Sequence, residues 1–337
     1  MKFYRKVFLA VAVFFASVGV DAQEVQKEDK EWVLDRFNFY FENDIFMKTD
    51  DGYSAGERFS WLYYIPDEDY DIYKLFFVDF GESNSYFTFA ITNQIFTPTE
   101  IEKTELIPYD RPYAGWTYLE AGMHKSSKNH LRSIVLKVGM IGPSSMSEDI
   151  QNGIHKITGS EEVKGWDNQL HDELGINLKY THKWLFESKK FGDFEMAGVP
   201  FLSAELGNIA INATGGVSAR FGFNIPKDFG VSSIDIGADP GIPIYGEYTN
   251  MKSRDWSFSI NLLGAGSVVG RDIFLDGNTF RDSHSVEKEN FVYYYGFGFT
   301  LRYKNFVFDF IEINNSKKFK LEKGGHGVGT MVFSWLY

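Results

Sequence analysis

The sequence has no cysteine and, after its first twenty residues, no long apolar run. Without cysteine the chain has no disulfide framework, no thiolate metal site and no cysteine nucleophile. A helix that crosses a bilayer needs about 18 or more mostly apolar residues, so a helical membrane protein is excluded. Any functional site must therefore be built from oxygen and nitrogen groups.

Positive charge is also in short supply, since the formal net charge is -12. Phosphate-backbone binding requires an electropositive surface, so this balance argues against a nucleic-acid partner. It does not exclude an anionic lipid whose charge is screened by a bound cation.

The N-terminus has the features of a secretory signal. Lys2, Arg5 and Lys6 precede an apolar run over residues 7–20, and Val20-Asp21-Ala22 follows as a small-x-small cleavage pattern. We predict a signal peptide over residues 1–22 and an exported mature chain, residues 23–337, that forms one domain.

Segments of roughly ten residues alternate between apolar and polar side chains, which is the period of a strand with two different faces. Aromatic residues make up 18% of the chain while its mean hydropathy is negative, a mixture that suits alternating strands better than a thick globular core. In a secreted β-sandwich the polar face would meet water, whereas in a membrane barrel it lines the lumen and the apolar face meets lipid. Alternating segments occur around Ile134 to Met140, Leu174 to Tyr180, Trp256 to Leu262 and Tyr295 to Leu301.

The last segment favours the barrel. Met331, Phe333, Trp335 and Tyr337 alternate with smaller or polar residues up to the final position. A terminal strand that ends on an aromatic residue resembles the signal by which outer-membrane barrels are recognised for assembly. We therefore predict an all-β fold, a transmembrane antiparallel β-barrel in the bacterial outer membrane.

The pattern predicts about twelve strands, and an even number places both termini in the periplasm. The weak stretch from Ile242 to Asn250 is assigned to a loop on that ground. The links after strands one, three, five, seven, nine and eleven are then expected outside the cell. The predicted strand centres are Phe41, Phe59, Phe89, Leu119, Leu136, Leu178, Ala204, Phe221, Ile260, Phe297, Phe308 and Phe333.

The link from Gly142 to Glu173 is too long for a turn and predicts a short extracellular helix. Ser145 and Glu148 have capping-box spacing, and Gly159 is positioned to end the helix. Its apolar residues Ile150, Ile154 and Ile157 share one face, which must rest on the barrel wall or on a lipid chain.

The chain has seven histidines, and this topology places His124, His130 and His182 near the periplasmic ends. Of the four that remain, only His155 lies on the predicted helix. A lone helical histidine is more often structural than catalytic, so its role depends on the other external links.

Two of those links add polar groups. The first, from Glu42 to Gly56, concentrates carboxylate and amide oxygens of the kind that calcium prefers, although its spacing is not that of an EF-hand and such residues are often simply solvated. The link after strand three contains Asp110-Arg111-Pro112-Tyr113-Ala114-Gly115, whose arginine would either pair an anionic head group or hold Asp110.

Together these motifs resemble the lipid A 3'-O-deacylase family. The resemblance extends over nearly all of the mature chain and rests on the order of motifs that are individually weak. They are Asn43-Asp44, Tyr53-Ser54-Ala55-Gly56, the Asp110 to Gly115 segment, Gln151 to His155 followed by Gly165 to Leu170, and Phe274 to Asn278.

The resemblance implies a twelve-stranded barrel that removes an acyloxyacyl chain from lipid A with calcium, at a site between the wall and an external helix. Asn43 and Asp44 match the family's cation-associated pair, and His155 matches its base. Ser54 stands where threonine is usual. Glu161 matches a nearby acidic residue, but one gap would exchange it with Glu162. We expect a monomer whose partners are lipid A and outer-membrane lipids.

Three other functions stay open from the sequence. A phospholipase-type serine esterase would use Ser283 and His284, although no G-x-S-x-G motif is present. A barrel that lost its activity would be purely structural, which the presence of Asn43, Asp44 and His155 argues against. A porin would need a wider lumen than about twelve strands leave.

Overall fold

The computed structural model describes residues 32–44, 52–66, 73, 76–77, 81–160, 162–230, 233–234, 241–246 and 256–337. The predicted signal peptide, the link at 45–51 and Glu161 lie outside the described residues. No helix among the described residues is long and apolar enough to cross a membrane.

The chain forms one antiparallel sheet in which neighbours in sequence are hydrogen-bonded neighbours in space. The strands are β1 (Val33–Asn43), β2 (Gly52–Ile65), β3 (Asn84–Thr97), β4 (Ala114–Ser126), β5 (His130–Ile141), β6 (Glu173–Trp184), β7 (Phe186–Phe191), β8 (Phe194–Gly207), β9 (Ala210–Phe223), β10 (Trp256–Asp272), β11 (Phe291–Tyr303), β12 (Phe306–Asn315) and β13 (His326–Leu336).

The sheet closes into a barrel because its first and last strands pair. β1 runs antiparallel to β13 from Arg36 opposite Leu336 to Asn43 opposite Gly329. β6 and β7 are two segments of one barrel strand, since both pair with β8. The barrel therefore has twelve strands, as the sequence predicts. Every predicted strand centre falls inside a strand.

The alternation of side chains follows the prediction. Leu174, Ile176 and Leu178 of β6 are about half exposed on the outer surface, as are Tyr295 and Phe297 of β11. Residues of the opposite parity turn inward and are buried. The exposed apolar residues of successive strands form a belt around the barrel, here called the apolar belt. It is the lipid-facing surface that the alternation predicts.

A bidentate ion pair joins β2 to β4 across β3 on the lumen face of the wall. Arg58 donates from Nε to Glu120 Oε1 over 2.9 Å and from Nη2 to Oε2 over 3.1 Å. Thr92 donates a further hydrogen bond to Glu120, and the Arg58 guanidinium lies 5.0 Å from the ring centre of Tyr40. Both charged groups are almost fully buried, so each depends on the other for compensation.

The barrel has two different ends. At the loop rim, long links emerge over residues 98–113, 142–172 and 273–290; at the turn rim, most links are short. The exceptions are the links at 66–83 and 224–255, and part of the second enters the lumen. Phe229 and Ile242 pack against Leu62 and Tyr86. The described part of the stretch from Ile242 to Asn250, residues 242–246, forms no strand, as expected.

This internal link reaches far toward the loop rim. Ile234 packs against Tyr40 and Val332, and its backbone N–H donates to Glu42 Oε1 over 2.7 Å. At the loop rim itself, Phe274 stacks on Phe96 with ring centres 3.8 Å apart and joins an apolar cluster with Trp116. The lumen is filled from both ends, which disfavours the porin alternative.

We predict that Glu120→Gln destabilises the barrel by about 3–5 kcal/mol, because it leaves the buried Arg58 charge without its partner. Denaturant titration followed by heat-modifiable gel mobility measures the change. Glu289→Gln, which breaks an ion pair with the exposed Lys320, is the matched control and should leave the midpoint within error. Equal midpoints for the two variants would contradict this account.

Candidate active site

A short helix lies on the outer surface of the wall at the loop rim. The link at 142–172 begins with a single 3-10 turn, Pro143–Ser145, and continues as helix α1, Ser147–Thr158. Gly159 ends α1 in the left-handed conformation, as predicted. The predicted capping box is wrong: the residue before the helix is Met146, in the left-handed region at φ 60°, and it makes no side-chain cap.

The misplaced cap has a local reason. The Ser145 side chain is engaged with Ser147, whose backbone N–H it accepts and whose hydroxyl it contacts at 3.0 Å. Ser145 therefore fixes the turn before the helix rather than the first helical turn, and Glu148 has no partner for reciprocal capping.

Two polar side chains of the wall hold the start of α1. Asn93 of β3 donates from Nδ2 to Ser147 Oγ and to Thr117 Oγ1 of β4, each over 2.7 Å. Thr117 donates in turn to the carbonyl of Ser145 over 2.6 Å. Asn93 and Thr117 occupy outward parity, where most residues are apolar, so this patch of wall anchors the helix.

Apolar packing fixes the next turn of α1. Ile150 rests on a buried cluster that contains Ala55 and Ile95 of the wall together with Trp166. Trp166 also donates from Nε1 to Gln151 Oε1 over 3.0 Å. Of the two supports that the sequence left open for the apolar stripe, the barrel wall and a lipid chain, Ile150 rests on the wall. Further along, Ile154 is half-buried and Ile157 is 68% exposed, so the C-terminal turn stands clear of the wall.

The electrostatic surroundings of α1 are acidic. Burial raises the pKa of Glu148, and the neighbouring carboxylates of Asp149 and Asp167 raise it further. Burial also raises the pKa of Tyr113, in the same cluster as Trp166, to about 12, so its phenol is neutral at physiological pH. The start of the helix therefore presents negative potential at the rim.

Asn43 and Asp44 end the first strand at this rim. Asn43 pairs with Ala55 on one side and with Gly329 on the other, and its side chain is half-buried. Asp44, which follows it, is only 2% exposed. Ala55 belongs to the cluster on which α1 packs, so the Asn43-Asp44 pair lies beside the helix-covered wall.

Ser54 occupies an irregularity in β2. The pairing with β3 shifts between Tyr53 and Ala55, so Ser54 is the extra residue of a β-bulge. Bulges re-aim a side chain, and the Ser54 hydroxyl is hydrogen-bonded to the hydroxyl of Thr97. It is buried next to Ala55, on the strand that pairs with Asn43.

His155 lies in the last full turn of α1 and is half-buried. Its carbonyl accepts the backbone N–H groups of Gly159 and Ser160, which fixes the end of the helix. Glu161 lies outside the described residues, and the side chain of Glu162 is exposed. The choice between these two glutamates stays a prediction.

The side chains of the serine-esterase alternative have other partners. His284 Nε2 lies 2.7 Å from the carbonyl oxygen of Asp110, and a nitrogen that donates to a carbonyl is not available as a base. The Ser283 hydroxyl accepts the backbone N–H of Asn278 over 2.8 Å. His284 thus joins two external links and Ser283 braces one of them, which disfavours this alternative.

The same network includes the other quoted motifs. Asp110 accepts backbone N–H groups from Thr99 and Arg111. The Arg111 guanidinium lies against the Phe96 ring. Asn278, just after the short helix α2 (Ile273–Asp276), exchanges two hydrogen bonds with the backbone of His171. These motifs frame the loop rim.

The structure therefore places the first half of α1 on the outer wall at Ala55, which pairs with Asn43 and follows Ser54. His155 lies further along α1, toward the end that stands clear of the wall. Carboxylate and amide oxygens at Asp44 and Asn43 are of the chemical type that suits calcium. No group of three or more acidic or histidine ligands occurs within the described residues, so a complete coordination set would need backbone oxygens, water or the link at 45–51.

Asn93 and Thr117, which anchor the helix, were not predicted from the sequence. The feature of the sequence that could have identified them is a polar residue at an outward position in a series of apolar ones. Asn93 follows Phe89 and Ile91 on the outward face of β3, and Thr117 precedes Leu119 on that of β4. A polar residue in such a series marks a place where the wall is covered.

A closed antiparallel barrel with an apolar outer surface is the fold of outer-membrane β-barrels. The family model described as "Outer membrane protein LpxR" matches residues 7–337, and the chain belongs to this family, the lipid A deacylases. No curated protein matches the chain.

Among solved structures, LpxR from Salmonella typhimurium has a TM-score of 0.73 at 16% identity, covering 90% of this chain and 100% of that one. At this identity the match shows the shared fold. The β domain of the Bordetella autotransporter Brka matches with a TM-score of 0.43 and 7% identity, over 92% of this chain and 100% of that one, and carries no functional argument.

We predict that Gly115→Ala displaces α1 and lowers lipid A deacylation about 10²-fold, the cost of a misplacement of about 1 Å. A Cβ at Gly115 would lie 2.2 Å from the Cβ and Oγ of Ser147. The measurements are activity and limited proteolysis of the 142–172 link in folded barrels.

Gly153→Ala is the matched control, because a Cβ at Gly153 meets nothing within 4 Å and alanine favours the helix. If Gly115→Ala retained normal activity and protease resistance, the helix would not depend on this close approach.

Proposed function

We propose that this protein hydrolyses the ester of the 3'-linked acyloxyacyl chain of lipid A with a water molecule activated by His155. The observation that carries the proposal is the clamping of α1 onto the lipid-facing side of the wall beside Asn43, Asp44 and Ser54. A membrane-embedded ester reaches this position from the bilayer without entering the lumen.

In this mechanism His155 acts as general base. A neutral imidazole accepts a proton from water as the water oxygen attacks the ester carbonyl. The imidazolium then returns the proton to the departing sugar oxygen, which releases the acyloxyacyl chain as a carboxylic acid. Glu161, or its neighbour Glu162, would orient the ring and favour its charged form.

Asn43 and Asp44 would hold calcium, together with backbone oxygens or water. Calcium, when bound, supplies positive charge that stabilises the oxyanion and screens lipid A phosphates from an acidic protein. Ser54 keeps the hydroxyl of the threonine usual at its position. Its bond to Thr97 supports a hydrogen-bonding role, for which the missing methyl matters little.

We further propose that the loop rim faces the cell exterior and that the protein acts as a monomer. Outer-membrane barrels have short periplasmic turns and longer external loops. Three of the five links longer than about 15 residues, those that frame the site, emerge from the loop rim.

The first test is mass spectrometry of lipid A from cells that express the protein, with and without chelator. We expect a mass loss equal to one acyloxyacyl group, abolished by chelator and by Asp44→Ala, with the barrel still heat-modifiable. Full activity of Asp44→Ala in excess chelator would eliminate the calcium mechanism.

The second test concerns the base. We expect His155→Asn to lower the rate about 10²- to 10⁴-fold, because asparagine is similar in size but does not accept a proton near neutral pH. Ser283→Ala is the control and should retain activity. The reverse pattern in folded proteins would assign the reaction to the serine-esterase alternative.

A further inference from the structure

A glutamate lies on the outward face of the wall below α1. Glu57 of β2 pairs with Phe41 of β1 and Asn93 of β3, and it shares parity with Phe59, which stacks on Phe39 in the apolar belt. Ionisable side chains on the lipid-facing surface of a barrel are costly and, where retained, point to a function.

The carboxylate of Glu57 is sealed from solvent. Both of its oxygens are buried, and neither has a hydrogen-bond partner within the part of the chain that the structure describes. The same holds for Oδ1 of Asn93, the residue directly opposite. Buried polar atoms are nearly always satisfied, so three acceptors without donors in one place indicate an absent donor.

The orientation of Asn93 makes the mismatch specific. Its Nδ2 group is engaged by Ser147 and Thr117, on the β4 side, which leaves Oδ1 for the β2 side where Glu57 lies. A carboxylate thus faces an amide oxygen. The pair accepts hydrogen bonds and offers none while Glu57 is ionised.

The depth of this pair selects the part of a lipid that reaches it. Glu57 is two residues further from the rim than Ala55, about 7 Å along the strand, and Phe59 and Ile91 follow at the next outward positions. The sugar and its ester lie at the rim in the proposed reaction. What extends to Glu57 is the first part of an acyl chain.

We infer that Glu57 and Asn93 form an acceptor pocket for a free hydroxyl on an acyl chain of the bound lipid, within a few carbons of its carbonyl. This inference rests on the proposed function for the placement of the ester. Because the scissile chain has its own hydroxyl esterified, the donor belongs to a neighbouring hydroxylated chain of the same lipid. The pocket would then select the acylation pattern of the substrate.

The test uses two synthetic lipid A molecules that differ only in that hydroxyl. We expect the wild-type protein to favour the hydroxylated lipid at least about tenfold in kcat/KM, since its absence leaves the buried acceptors unpaired. In the Glu57→Leu protein the preference should be lost. Both lipids should then be hydrolysed at the rate at which the wild type hydrolyses the lipid without the hydroxyl, the deoxy lipid. Glu57→Gln, which keeps one acceptor, should retain part of it.

Glu312→Leu is the matched control. Glu312 is an outward acid near the loop-rim end of β12, three strands from β2, and it accepts a hydrogen bond from Asn314. This variant should keep the full preference. Thermal midpoints of Glu57→Leu should equal or exceed those of the wild type, whereas a purely structural carboxylate would lower them.

Binding separates this inference from the proposed reaction. The His155→Asn protein in lipid nanodiscs should bind the hydroxylated lipid more tightly than the deoxy lipid. If neither lipid is hydrolysed by the wild type but this binding preference persists, the proposed function fails and the pocket stands. Equal binding and equal kcat/KM for the two lipids, or an undiminished preference in Glu57→Leu, would overturn the pocket.

Discussion

The constraint on which the rest of this structure depends is that a bilayer offers no hydrogen bonds to a peptide backbone. Every strand must pair on both edges, and the pairing of β1 with β13 completes the ladder. Closure then gives each strand one face toward lipid and one toward the lumen. Side-chain parity, the apolar belt and the buried Arg58-Glu120 pair all follow from that division.

Closure also determines where a site is possible. The lumen is occupied by its own side chains, by the internal part of the link at 224–255 and by the rim cluster around Phe274. A substrate has little room there. Membrane lipid contacts the outer wall, but a catalytic site is possible only where the wall carries polar groups. α1 lies at such a place, because Asn93 and Thr117 of the outward face hold its start through their side chains.

Much of the fold was predictable from parity, because a two-residue period in a chain without long apolar runs leaves few architectures. The external helix was predictable from link length and from Gly159, but its start was not, since Ser145 bonds to Ser147 instead of capping. The internal link was missed. It has no periodicity of its own, and its position depends on long-range contacts such as that between Ile234 and Glu42.

The candidate site was predictable only through the order of its motifs. Asn43, Asp44 and Ser54 are ordinary surface residues when considered one at a time, and a lone helical histidine is usually structural. What the structure adds is a shared location: the pairing of Asn43 with Ala55 and the packing of Ile150 on Ala55 bring the first strand and α1 together. A site on the lipid-facing wall receives its substrate from the side, so the depth of each polar group along a strand corresponds to a depth in the lipid. In the proposed reaction, groups at the rim would meet the sugar and ester, and groups one step deeper, such as Glu57, would meet the chains.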